Sequence, residues 1–174
     1  VAMAAMHEPE GRYLLLTRVQ DFFHTESFLV LDGRMVKLAV PEDAESYGFF
    51  DDHLLMQLRS PWTVGDATHA VGSLVAVELD SLLRGRPQVE TLFEPTGDAF
   101  LAGVDLARDR VLMTTLEHVR STLYQVVRED GVWVHREIEL PGMGTVGLYA
   151  SRQTGPFLYS YQDFLTPSSM YVVD

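Results

Sequence analysis

Short apolar strands separated by turn residues recur along the chain, and that recurrence constrains its fold more than any other feature. Residues 13–19 (YLLLTRV), 27–31 (SFLVL) and 35–40 (MVKLAV) form a first cycle, with Asp32-Gly33 between the last two runs. Asp-Gly between apolar runs is a strong hairpin signal, because both central residues of a type I′ turn require positive φ. A second cycle has 53–59 (HLLMQLR), 72–79 (GSLVAVEL) and 88–93 (QVETLF). A third has 110–116 (RVLMTTL), 121–127 (STLYQVV), the turn 129–131 (EDG) and 132–140 (VWVHREIEL). A fourth opens with 145–150 (TVGLYA) and 157–161 (FLYSY). The period is on the order of 40 residues with one cycle lengthened, which is the repeat of a propeller blade. The expected fold is therefore all-β, a partial β-propeller of about 3–4 blades of antiparallel strands. Residues 1–174 are read as a single partial propeller domain. The first blade is expected to lack its opening strand and the last its closing strand.

Alternation agrees with blades. In 132–140, Val132, Val134, Ile138 and Leu140 share one face, while Trp133, His135, Glu137 and Glu139 share the other. That is the pattern of a half-exposed outer strand. Residues 14–16 and 28–31 are apolar on both faces, as inner strands between neighbouring blades should be. Such a blade cannot bury both faces alone and needs neighbours. One short helix is expected over 80–85 (DSLLRG), with Asp80 or Ser81 as N-cap and Gly85 as the stop. The polar stretch 41–46 reads as a loop, and so does the segment carrying Pro61 and Trp62, whose indole is expected to plug a blade interface.

Thirteen basic residues against twenty-five acidic ones give a net charge of −12, and Lys37 is the single lysine. A chain so acidic is repelled by nucleic-acid phosphates and by anionic membrane surfaces, so neither partner is expected. No run of residues is apolar for long enough to cross a bilayer as a helix. The chain has no cysteine, which removes disulfides, thiolate metal ligands and cysteine nucleophiles. A reducing cytosol and a disulfide-free periplasm both accommodate such a chain.

Several motifs carry chemistry elsewhere and are weak here. Gly142, Gly144 and Gly147 fit G-x-G-x-x-G, but a strand-like segment follows them where a dinucleotide site needs a helix. They read as an inter-blade turn after Pro141. The cluster Asp51-Asp52-His53 and the pair Asp21 and His24 read as loop and packing features, because no histidine pair has metal-binding helical spacing. The adjacent carboxylates Glu42/Asp43, Asp51/Asp52 and Glu129/Asp130 isolate no pair set across a cleft, as a glycosidase would need. No G-x-S-x-G nucleophile elbow occurs in the chain. No catalytic, cofactor-binding or metal-ligating residue is therefore assigned.

The last segment is the most specific. Ser160, Tyr161, Gln162, Asp163, Phe164, Leu165, Thr166, Pro167, Ser168, Ser169, Met170 and Tyr171 form an aromatic strand, a Thr-Pro-Ser turn and the start of a second strand. The segment resembles a stretch late in the β-propeller domain of the prolyl oligopeptidase family of serine peptidases. Ser168 stands where many members have a second proline. The resemblance implies a parent enzyme that cleaves short peptides after proline or a related residue. It implies that the catalytic Ser, Asp and His lie in an α/β-hydrolase domain of the same polypeptide that this chain lacks. In such enzymes the propeller covers the active-site cleft and admits only short, flexible peptides. A strand running to the last residue leaves an open edge, so the chain alone is expected to self-associate. Two other functions fit a propeller: a non-enzymatic scaffold for protein–protein binding, and a glycosidase.

Overall fold

The computed structural model describes the backbone of residues 2–7 and, with their side chains, residues 14–21, 24–31 and 33–174. It contains successive antiparallel meanders, and contacts divide the chain into two compact units, 1–94 and 95–174.

The first unit holds two four-stranded sheets. In one, β1 (Ala2–His7), β2 (Leu14–Val19), β3 (Thr25–Leu31) and β4 (Arg34–Lys37) pair in chain order. In the other, β5 (Glu45–Phe50), β6 (His53–Gln57), β9 (Leu74–Glu78) and β10 (Val89–Phe93) pair in chain order. A small hairpin, β7 (Trp62–Val64) and β8 (Ala67–His69), is inserted between β6 and β9. The second unit holds a four-stranded sheet, β11 (Ala99–Leu106), β12 (Val111–Glu117), β13 (Arg120–Glu129) and β14 (Val132–Ile138). A three-stranded sheet follows, β15 (Thr145–Tyr149), β16 (Phe157–Gln162) and β17 (Ser169–Val173).

The all-β expectation holds, with a shift in strand order. The recurring runs at 13–19, 53–59 and 110–116 are each the second strand of their sheet. Their antiparallel partners β1, β5 and β11 precede them. The first sheet thus has four strands, against the expected loss of its opening one. Physical reasons hid those strands. β5 carries a bulge at Gly48, whose φ is 106°, and β11 a register shift between Leu101 and Gly103. A bulge breaks the two-residue alternation that marks a strand. β1 is built of alanine and methionine, which favour helices.

Each unit packs sheet against sheet. In the first, Leu15, Leu29 and Leu38 of one meander meet Phe49, Leu54, Met56, Val75 and Val77 of the other. Each such side chain removed from water contributes about 1.5–3 kcal/mol, so the two apolar faces stay together. In the second unit, Leu112 and Leu123 meet Phe157, Tyr159 and Tyr161. The stacked rings of Tyr159 and Tyr171, 4.9 Å apart, extend that core across β16 and β17.

The helix α1 (Leu79–Leu83) forms where expected, and Gly85 at φ 68° ends it by donating to the Leu82 carbonyl. Its N-cap is Glu78, without a side-chain cap, in place of the expected Asp80 or Ser81. Ser81 instead lies inside the helix, donating to the Glu78 carbonyl and accepting from the Gln88 amide.

Asp130 and Gly131 turn between β13 and β14 with φ of 49° and 80°, as Asp-Gly predicts. Asp32 of the other expected turn lies outside the described residues, while Gly33 has φ 73°. An added Cβ at Gly131 would meet nothing within 4 Å. Gly131→Val should therefore lose stability through the backbone alone, by about 1–3 kcal/mol for a β-branched residue held at positive φ. Urea melts of the two proteins compare them directly, and coincident melts would remove the turn assignment.

Candidate functional surface

The residues weighed as possible catalytic or metal-binding groups make turn, hydrogen-bond and ion-pair contacts. Asp51 and Asp52, at φ 47° and 57°, make the tight turn between β5 and β6. The His53 ring is buried against the Asp51 carbonyl, and the Asp52 carbonyl accepts from the Leu79 amide. Asp21 accepts from the backbone and ring of His24 at 2.9 Å, and the intervening phenylalanines lie outside the described residues. Glu42 and Glu129 are ion-paired to Lys37 and Arg136. Among the described residues no group of three or more His, Asp or Glu side chains is placed to hold a metal. Trp62 starts β7 and packs half-buried on the core of the first unit, 6.4 Å from the His69 ring. That is the plug expected of it.

The surface that stands out belongs to the second unit, where the family-like segment lies. It is built around Tyr161 on β16. This side chain is fully buried, and its hydroxyl donates to Asp163 at 2.6 Å. The other oxygen of Asp163 accepts the Leu165 amide at 2.8 Å and the Thr166 amide at 2.6 Å. The Asp163 amide closes the loop onto the Thr166 carbonyl at 3.1 Å. One carboxylate thus folds the 163–168 loop on itself and ties it to the core.

Gly142 and Gly144 make room for this arrangement. An added Cβ would lie 2.9 Å from the Tyr161 hydroxyl at Gly142 and 2.7 Å from the Tyr161 ring at Gly144. The glycine-rich motif is therefore an inter-blade turn that lets backbone lie flat on an aromatic ring. The strand β15 begins within it at Thr145, where a dinucleotide site would need a helix to meet a phosphate.

Three connections meet at this end: the β12–β13 turn, the β14–β15 link and the 163–168 loop. Val119, Met143, Gly144, Phe164 and Pro167 line an open cleft of about 450 Å³. Beside it, Arg120, Glu137, Glu139 and Met143 line a second of about 490 Å³. The apolar side chains at the rim are well exposed.

The hydrogen bond from Tyr161, with those from the two amides, holds the Asp163 carboxyl down at about 2. The same bond pushes the Tyr161 hydroxyl up to about 12, with burial adding to it. Asp163 is the depressed case: its stabilisation is full above its ordinary value of 3.8 and is lost as pH falls toward about 2. Thermal melts across that window should show a falling midpoint, and Asp163→Asn should flatten the fall while melting lower at neutral pH. An unchanged slope in the variant would separate Asp163 from the acid sensitivity.

Comparison with known proteins follows the same lines. Residues 60–174 match the family model described as the N-terminal β-propeller domain of prolyl oligopeptidase. An uncharacterized peptidase of Sinorhizobium fredii is 27% identical over 97% of this chain, which spans 25% of that protein. The solved post-proline cleaving enzyme from Rickettsia typhi superposes with a TM-score of 0.88 at 20% identity, over 98% of this chain and 26% of that one. Prolyl oligopeptidase B from Galerina marginata gives 0.71 at 15% identity, over 99% and 24%. The chain thus spans about a quarter of the length of the relatives it matches, and the likeness extends to its propeller fold. On the match of its residues 60–174, the chain belongs to the family of prolyl oligopeptidase N-terminal β-propeller domains.

Proposed function

We propose that residues 1–174 are the non-catalytic, substrate-gating propeller portion of a prolyl oligopeptidase-like serine peptidase. The observation that carries this reading is the family match over residues 60–174. The chain has no nucleophile elbow. In this reading the Ser, His and Asp that cut the peptide are supplied by an α/β-hydrolase domain of the same polypeptide. The blades contribute steric selection: an array of packed sheets over a cleft lets a short, flexible peptide through and stops a folded chain. The net charge of −12 would bias that selection toward cationic peptides.

The test uses the whole polypeptide. It should cleave a short peptide after proline and leave the same bond intact when that sequence is embedded in a folded protein. Equal cleavage of both would remove the gating role.

Separated from the rest, the 174-residue chain self-associates in this reading. β17 lies at the edge of a three-stranded sheet, with Met170 and Val172 exposed. An uncovered edge with apolar side chains is a template for pairing with a second copy. Sedimentation at micromolar concentration should give a dimer or larger, and a clean monomer would contradict this.

A further inference from the structure

Charged side chains of the second unit mostly find partners: Glu129 pairs with Arg136, and Asp109 with Arg110. Arg120, Glu137 and Glu139 differ. Among the described residues none of the three is ion-paired, and all three line one open cleft of about 490 Å³. Glu137 and Glu139 are two residues apart in extended chain, so they project to the same side. Glu137 stands opposite Tyr124 in the β13–β14 register. The Tyr124 hydroxyl is pushed up by burial first, then by the charges of Glu137 and Glu117, while Arg120 pulls it down. Glu137 and Arg120 therefore act on one hydroxyl without pairing with each other.

A second observation points to a ligand. Ser121 is 9% exposed and lines the same cleft, and among the described residues its hydroxyl has no hydrogen-bond partner. Buried polar groups are normally hydrogen-bonded, and a hydroxyl left open on a cleft can accept a donor from a bound molecule. The walls suit different parts of one such molecule. Leu140 and Met143 offer an apolar track to an aliphatic stem. The two carboxylates and the Ser121 hydroxyl accept N–H groups at the end of that stem. Neighbouring carboxylates repel, and a cation between them relieves the repulsion. The Arg120 guanidinium is left to donate to a main-chain carbonyl.

We propose that this cleft is a subsite for a lysine or arginine side chain of a peptide substrate. The proposal rests on the gating reading above and gives it a substrate class. Glu137 and Glu139, rather than the summed charge of the chain, set the bias toward cationic peptides.

The test uses the whole polypeptide and a set of prolyl peptides in which one lysine is moved along an otherwise neutral sequence. Each peptide is paired with its norleucine counterpart, which keeps the stem and removes the charge. The readout is the ratio of the two KM values, since a structural lesion moves both peptides together. At one lysine position the lysine peptide should have a KM about tenfold lower. The double variant Glu137→Gln, Glu139→Gln should bring that ratio close to one. Glu129→Gln, which removes a carboxylate paired outside the cleft, should leave it unchanged. A natural polypeptide that favours no lysine position, or a ratio that survives in the double variant, would overturn the subsite. Equal loss of the ratio in Glu129→Gln would assign the bias to net charge and overturn it as well. All of those outcomes leave the gating reading standing. Cleavage of none of the peptides by the natural polypeptide would instead sink that reading, and the subsite with it.

Discussion

Gly144→Ala is expected to unfold the second unit at denaturant concentrations that leave the natural protein folded. A methyl group at this position would press on the carbonyl oxygen of Gln162 and lie 2.7 Å from the ring of Tyr161. Neither neighbour can yield. The carbonyl belongs to the backbone at the end of β16, and the ring is fully buried with its hydroxyl bound to Asp163. Overpacking usually costs about 1–3 kcal/mol, and a clash with backbone belongs at the top of that range, about 3 kcal/mol. Gly147→Ala supplies the contrast. Its nearest neighbour is the Ser160 hydroxyl at 2.7 Å, the end of a side chain that can rotate away. Its cost should be nearer about 1 kcal/mol. Urea melts rank the two variants. Equal stability of Gly144→Ala and the natural protein would mean that the 142–144 turn does not lie on Tyr161.

Phe157→Ala is expected to be as damaging by the opposite route. Phe157 opens β16, is 2% exposed, and packs with Leu112 and Leu123 of the preceding sheet. Its removal leaves a cavity where two sheets meet, at about 3–5 kcal/mol. Whole domains hold only about 5–15 kcal/mol, so such a loss should lower the melting temperature by about ten degrees or more. Leu158 points to the other face of the same strand and is 37% exposed. Leu158→Ala should cost well under half as much. A thermal melt that ranks the two the other way round would reverse the assignment of the strand's buried face.

Where alternation and turn chemistry cooperate, the fold is legible in the sequence. Residues 121–140 show this: two strands of alternating character are joined by Asp130-Gly131, and the structure has β13, β14 and their tight turn. Legibility fails where a local irregularity carries the structure. Gly48 and Gly103 interrupt β5 and β11 at register shifts. Asp51-Asp52 and His118-Val119 turn with positive φ and no glycine. Nothing in a His-Val pair announces a turn, because its left-handed backbone is enforced by the pairing of β12 with β13 around it. The inserted hairpin β7–β8 gives no alternation signal, since its strands are three residues long.

The candidate surface divides in the same way. The segment from Ser160 to Tyr171 resembles a family pattern, yet its spelling does not say what it does. Phe164 and Leu165 look like core residues in a run of letters. Only the hydrogen bonds converging on Asp163 reveal a loop built to hold them in solvent. The roles of Gly142 and Gly144 depend on a ring about twenty residues downstream, a separation that no local motif encodes.

The most direct test of the central claim compares the isolated 174-residue chain with the whole polypeptide against one chromogenic prolyl peptide, with and without a serine-directed phosphonate. The account predicts turnover by the whole polypeptide that the phosphonate abolishes, and only background from the isolated chain. Phosphonate-sensitive turnover by the isolated chain would contradict a non-catalytic propeller, and a whole polypeptide without turnover would contradict a peptidase.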